Sequence, residues 1–171
     1  VINNNDGTFI YDPGADFQSL AVGETQTVVL NYTATDDSVT GNVTSANGLV
    51  TITVTGTNDA PTVTAAIDAG SANEDDAAVT IDLLATASDV DILDDLDASN
   101  VTVTSSDLRT VSFSVVDETG LLTLDPGQFT DLTDADSETL TVNYDITDGN
   151  GGVVSNTATL LVTGSNDQPT V

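Results

Sequence analysis

The sequence predicts an all-β chain of tandem antiparallel Greek-key sandwich domains, the first of them incomplete, and three observations carry that prediction. Thr and Val alternate along run after run, as half-buried strands require. The stretch Gly56-Thr57-Asn58-Asp59-Ala60-Pro61-Thr62-Val63 returns as Gly164-Ser165-Asn166-Asp167-Gln168-Pro169-Thr170-Val171. The spacing is roughly a hundred residues, the length of a domain rather than of a solenoid repeat. All four prolines fall in paired positions, because Asp125-Pro126-Gly127 also answers Asp12-Pro13-Gly14.

Residues 1–55 read as the C-terminal part of one sandwich repeat. Thr8-Phe9-Ile10-Tyr11 is a short strand after the turn Asn5-Asp6-Gly7, and Asp12-Pro13-Gly14 turns the chain into a segment carrying Phe17 and Leu20. Residues 25–35 then alternate through Val28, Leu30 and Tyr32, and residues 48–55 through Val50, Ile52 and Val54, with 38–43 a candidate further strand. A sandwich needs about seven strands. The leading strands of this repeat are therefore either cut away or supplied by another chain.

Residues 56–61 form the linker. Proline has no donor to offer a sheet ladder, so the preceding strand cannot run on through it. Residues 62–163 read as a complete repeat, with strands at 62–67, 77–84, 100–105, 110–116, 120–124, 138–147 and 153–163. Its second half echoes the first repeat: Phe129 answers Phe17, Leu132 answers Leu20, and Tyr144 with Asp148 answers Tyr32 with Asp36. Residues 164–171 begin the next linker. The aromatics Phe9, Tyr11, Phe17, Tyr32, Phe113, Phe129 and Tyr144 are expected in the core.

Composition narrows the function. There are 28 acidic side chains against a single Arg109, a net charge of −27. Nucleic acid and anionic membrane both need basic footprints, so neither is expected as a partner. Without His or Cys there is no nucleophilic triad and no zinc or copper site. Phosphoryl transfer lacks its Lys and its Gly-rich loop, and a carboxylate pair for glycoside hydrolysis needs a cleft that a narrow sandwich does not offer. No enzyme is expected. No apolar run is long enough to span a bilayer, and no direct membrane insertion is expected.

Such a surface invites cations. Between Ser88 and Asn100 the chain reads Asp89-Val90-Asp91-Ile92-Leu93-Asp94-Asp95-Leu96-Asp97, whose apolar residues lack period two. It is a loop with crowded carboxylates, which is costly unless something neutralises them. Calcium takes six to eight hard oxygens in relaxed geometry, so ligands scattered over two domains and a linker can converge on it.

The run from Leu140 to Gly152, LTVNYDITDGNGG, followed by Thr157-Ala158-Thr159-Leu160-Leu161-Val162-Thr163 and Asn166-Asp167-Gln168-Pro169, resembles the last two strands and the linker of a cadherin repeat. It resembles more closely the cadherin-like VCBS-type repeats of giant secreted RTX-type adhesins of Gram-negative bacteria. The resemblance covers essentially the whole chain and implies calcium at the joints between repeats. At the joint of Asn58 and Asp59 it implies Asp89 and Asp91 as the Asp-x-Asp pair and Asp148 before the Gly-rich turn. The glutamate of an Asp-Arg-Glu motif falls near Glu24, with Val22 and Gly23 where its partners belong. Gly56 stands where the cadherin linker opens with Asp, so one or two ions are implied. At the second joint Asp136-Ser137-Glu138 matches the motif, joined by Glu74, Asn166 and Asp167. Asp94, Asp95, Asp97, Asp117, Glu118 and Asp131 are expected to be solvated surface.

The same resemblance implies a structural extender of a bacterial cell-surface adhesin, extracellular, stiffened by calcium, serving cell adhesion or biofilm formation. Its partners are neighbouring repeats of the same chain, the ultimate ligand being bound by a distant domain. Two other readings stay open, a glycan- or protein-binding module and a self-assembling filament or surface-layer subunit.

Overall fold

The computed structural model describes residues 1–36, 45–116 and 119–168. The candidate strand at 38–43, the acids Asp117 and Glu118, and the last three residues lie outside them. Among the described residues no helix is long and apolar enough to cross a membrane. The chain divides into two compact units, residues 1–58 with 91–93, and residues 59–90 with 94–171.

In the first unit β1 (Ile2–Asn3) pairs antiparallel with β2 (Phe9–Ile10), and β3 (Thr25–Thr35) pairs antiparallel with β4 (Ser45–Thr55) over their whole length. Alternation sets their faces: Val28, Leu30, Val50, Ile52 and Val54 share one side and are half-buried. Among the described residues β3 and β4 have only each other as sheet neighbours. Tyr32 is accordingly 39% exposed, its ring 5.9 Å from that of Phe9.

The second unit is the two-sheet sandwich. Its strands are β5 (Thr62–Val63), β6 (Ile67–Asn73), β7 (Val79–Asp82), β8 (Ala87–Ser88), β9 (Asp97–Ser105), β10 (Phe113–Val116), β11 (Leu121–Leu124), β12 (Ser137–Thr147) and β13 (Val153–Thr163). One sheet runs β10-β11-β7 and the other β6-β13-β12-β9, while β5 pairs with β8. β12 and β13 are antiparallel in unbroken register from Ser137 opposite Thr163 to Thr147 opposite Val153. Their inward residues Leu140, Val142, Ile146, Ala158, Leu160 and Val162 are sealed from solvent, and the residues that alternate with them, mostly Thr and Ser, lie on the opposite face. Leu122 and Leu124 of the second sheet cover them together with Leu83, just past β7, and Phe129, in a 3-10 turn at Pro126–Phe129, closes the layer.

The expected strand at 62–67 is two strands. The chain leaves β8 after Val63 and resumes at Ile67, parallel to β13. The Ala, Gly, Ser and Asp residues of β6 carry no β pattern, and Gly70 takes a φ of 76° that a plain strand does not use. Of the aromatics expected in the core, Phe129 and Tyr144 are buried, whereas Phe9, Tyr32 and Phe113 are each more than a third exposed.

β3 and β12 are counterparts, both of 11 residues, with Tyr32 and Tyr144 at matching places, yet Tyr144 is only 3% exposed. The difference is the covering sheet and the added neighbours of β12. Leu140→Ala should therefore cost about 2–5 kcal/mol, and Leu30→Ala, half-buried, under about 2 kcal/mol. Urea unfolding of the two variants measures both.

Candidate metal centre

The tight connection from β12 to β13 is organised by one carboxylate. Asp148 follows directly on β12, in step with its inward residues, and is buried. Its Oδ1 accepts the amide of Asn150 at 2.8 Å and that of Gly152 at 2.9 Å, so the turn folds around the side chain. Gly149 and Gly151 supply the positive φ angles of 76° and 111° that the loop requires. Gly152 is needed for space, because a Cβ there would strike the Asp148 carboxylate and lie 2.8 Å from the Cα of Ala60.

A second loop brings two more acids to this turn. Carboxylate oxygens of Asp89, Asp94 and Asp148 lie within 4.8 Å of one another, the first two half-buried and the third buried. Two oxygens each about 2.4 Å from one calcium ion can be at most about 4.8 Å apart, so the spacing fits a shared ion. The Asn150 side-chain amide donates to Asp94 Oδ1 at 2.9 Å. Asp94 Oδ2 is buried without a hydrogen-bond partner among the described residues. Three carboxylates this close repel by roughly 3 kcal/mol per pair at an effective dielectric near 20, and a divalent cation reverses that sign.

Asp94 was expected to be solvated surface, and the structure instead places it in the cluster. The loop from Asp89 to Leu96, between β8 and β9, has no periodicity, so nothing in the sequence shows which of its acids turns toward Asp148. Asp91 is buried, Asp95 is exposed, and Asn58 and Asp59 are half-buried.

At the other end of the second unit the acids are engaged one by one. Asp136 Oδ2 accepts the Thr133 amide at 3.0 Å and its hydroxyl at 2.7 Å, and these bonds, the hydroxyl's first, hold its carboxyl below the usual carboxylate range. Glu74 is buried. Its Oε1 accepts the Ser165 amide at 2.7 Å, while Oε2 has no hydrogen-bond partner among the described residues. Glu138 is wholly buried against Arg109, whose guanidinium also pairs with Asp131. Asp131 is thus an ion-pair partner and not merely solvated. Asn166 and Asp167 are exposed.

Glu24 sits where Asp136 does, not where Glu138 does. Its Oε2 accepts the Ala21 amide at 3.0 Å, as Asp136 accepts Thr133, and it stands one residue before β3 as Asp136 stands before β12. The register counterpart of Glu138, opposite Val162, is then Gln26, opposite Val54. A search for the turn acid beside Leu20 and Leu132 would have found this pairing.

The cadherin-like domain family model matches residues 57–163. Among curated proteins no significant match was found. Among solved structures, the extracellular cadherin domains 1–5 of protocadherin gamma B2 are 19% identical over 84% of this chain and 27% of that one, with a TM-score of 0.53. Mouse cadherin-23 EC22-24 is 23% identical over 82% of this chain and 43% of that one, with a TM-score of 0.48. At 19% identity the likeness to the protocadherin domains is one of fold, and the chain spans less than half the length of either structure.

Two glycine variants separate steric from dihedral requirements at the turn. Gly152→Ala should destabilise the second unit by more than about 2 kcal/mol, since the clash is with backbone and a buried carboxylate. Gly149→Ala has open space around it and should lose only about 1–2 kcal/mol from its left-handed φ. Denaturant midpoints give both values.

Acid sensitivity follows from the same hydrogen bonds. Asp136, Asp131 and Asp145 are each held below the ordinary value, by Thr133, Arg109 and Ser155 respectively. A lowered folded value means stabilisation present above the unfolded value, about 4, and lost as pH falls through the folded one. Melting temperature should be flat above about pH 5 and fall below about pH 4, with Asp145→Asn shallowing the fall.

Proposed function

The chain belongs to the cadherin-like domain family, and from that premise we propose that it is an extender segment of a large bacterial cell-surface adhesin, stiffened by calcium. The observation that carries this reading is the cluster of Asp89, Asp94 and Asp148, with its buried, donor-free oxygen on Asp94. Hard oxygens at this spacing in a chain without His or Cys suit calcium over zinc or copper. Asn58, Asp59 and Asp91 are the further oxygens proposed for the joint between repeats. For the second joint we propose Glu74, which keeps one oxygen without a donor, together with Asn166 and Asp167.

Repetition gives length. An 11-residue strand such as β12 at ~3.3 Å per residue makes each repeat roughly 36 Å long. Calcium adds rigidity and stability, because an ion that binds only the native state stabilises it by mass action. The setting is extracellular, where millimolar calcium fills weak sites, and the role is to hold a distant binding domain away from the cell in adhesion or biofilm formation.

One observation favours a second reading. The half-exposed apolar side of β3 and β4 suits a subunit completed by a strand from another copy, as in a filament or surface layer. Mass photometry decides between them: a monomer removes this reading, and a stable oligomer supports it.

The calcium reading is tested by melting the intact chain with chelator, with millimolar calcium and with millimolar magnesium. Calcium alone should raise the melting temperature, by about 2.7 kcal/mol of added stability at a hundredfold excess over Kd. Asp94→Ala should abolish most of that gain and leave the chelated melt close to the parent's. No gain with calcium, or the same gain in Asp94→Ala, contradicts the assignment.

A further inference from the structure

Glu138 is 0% exposed, on the inward face of β12. A carboxylate sealed in this way needs a cation or a full set of donors. Arg109 provides the charge. Its Nε lies 2.8 Å from Glu138 Oε2, and the Ser105 hydroxyl donates to Oε1. The remaining donors of the guanidinium fork reach both oxygens of Asp131, at 2.7 and 3.0 Å. Its Cζ stands 5.1 Å from the centre of the buried Phe129 ring. The contact between Nε and Oε2 is an ion pair without hydrogen-bond geometry, so the guanidinium pairs with two carboxylates and stands over a ring at once, an arrangement that a lysine ammonium does not reproduce.

The loop after β9 is bent to deliver this side chain. The Leu108 amide donates to the Ser105 carbonyl at 3.1 Å, and Leu108 itself takes a φ of 61° while 91% exposed. Leucine gains no burial from that unfavoured backbone conformation. What the turn achieves is the placement of Arg109 over Phe129 and Glu138. The first repeat shows the complementary case: the counterpart of Glu138 is Gln26, exposed and neutral.

We infer that Arg109, the only basic side chain in a chain with 28 acids, is the resident counter-ion of Glu138 and stands where the family resemblance places a divalent cation. Glu138 is then not a calcium ligand, and this corner of the domain is held without metal. The inference goes beyond the calcium reading and is tested without it, in chelator.

The experiment is a double-mutant cycle on the intact chain with Arg109→Gln and Glu138→Gln, followed by thermal melting in chelator and by calcium titration calorimetry. Arg109→Gln strands a buried charge and should lower the chelated melting temperature by on the order of 10 °C. The double variant, with no charge left to balance, should regain most of that loss. If Arg109→Gln alone does not fold, a folded double variant gives the same support, and an unfolded one contradicts the inference. Glu138→Gln should leave calcium stoichiometry and affinity as in the parent; a lost site or a tenfold weaker Kd overturns the inference. A parent without any calcium response would sink the calcium reading and leave the chelator cycle to decide this one.

Discussion

Charge compensation is the constraint on which this structure depends. With 28 acids and one arginine, a carboxylate on an inward face must be met by something other than lysine. The structure shows two answers, and the proposed function supplies a third. Backbone amides meet the buried Asp148 at the β12 to β13 turn, as they also meet the exposed Asp136 before β12 and the half-buried Glu24 before β3. The lone guanidinium meets Glu138. Where Asp89, Asp94 and Asp148 converge, one oxygen of Asp94 is buried without a hydrogen-bond partner among the described residues, and a cation is the answer we propose. Turn geometry, the glycine at 152 and the bend at Leu108 are each consequences of delivering one of these partners.

The internal repeat isolates what packing adds. β3 with β4 and β12 with β13 are hairpins of the same length and pairing, with inward apolar residues at the same steps. In the second unit a facing sheet and the flanking strands β6 and β9 take those residues to near zero exposure. In the first, the same positions are half-buried or, at Tyr32 and Ala34, exposed. Burial of a side chain is worth about 1.5–3 kcal/mol when complete, so the same local sequence contributes unequally in the two units.

Long alternating strands were legible in the sequence because period two persists over 11 residues in β3, β12 and β13. β6 was not, since its Ala, Gly and Ser residues carry little β propensity and its parallel pairing with β13 is set by the tertiary fold. Asp89 and Asp148 were legible as candidate ligands from motif position. Asp94 was not, because its approach to Asp148 is set by the path of an aperiodic loop and by the Asn150 amide. Arg109 was visible as the sole cation, but its partners are separated from it by 20 to 30 residues and meet only through the tertiary fold. The role of Glu24 was misaligned by two residues, for motif letters carry no register, whereas the pairing of β3 with β4 does.

The central claim is that a calcium ion is shared by Asp89, Asp94 and Asp148, and a crystal structure of the intact chain grown in millimolar calcium tests it most directly. The account predicts an ion with oxygens of all three residues at about 2.3–2.6 Å and six to eight ligands in total. A structure in saturating calcium with no ion between these carboxylates, or with the ion at Glu138 and the Arg109 side chain displaced, would contradict it.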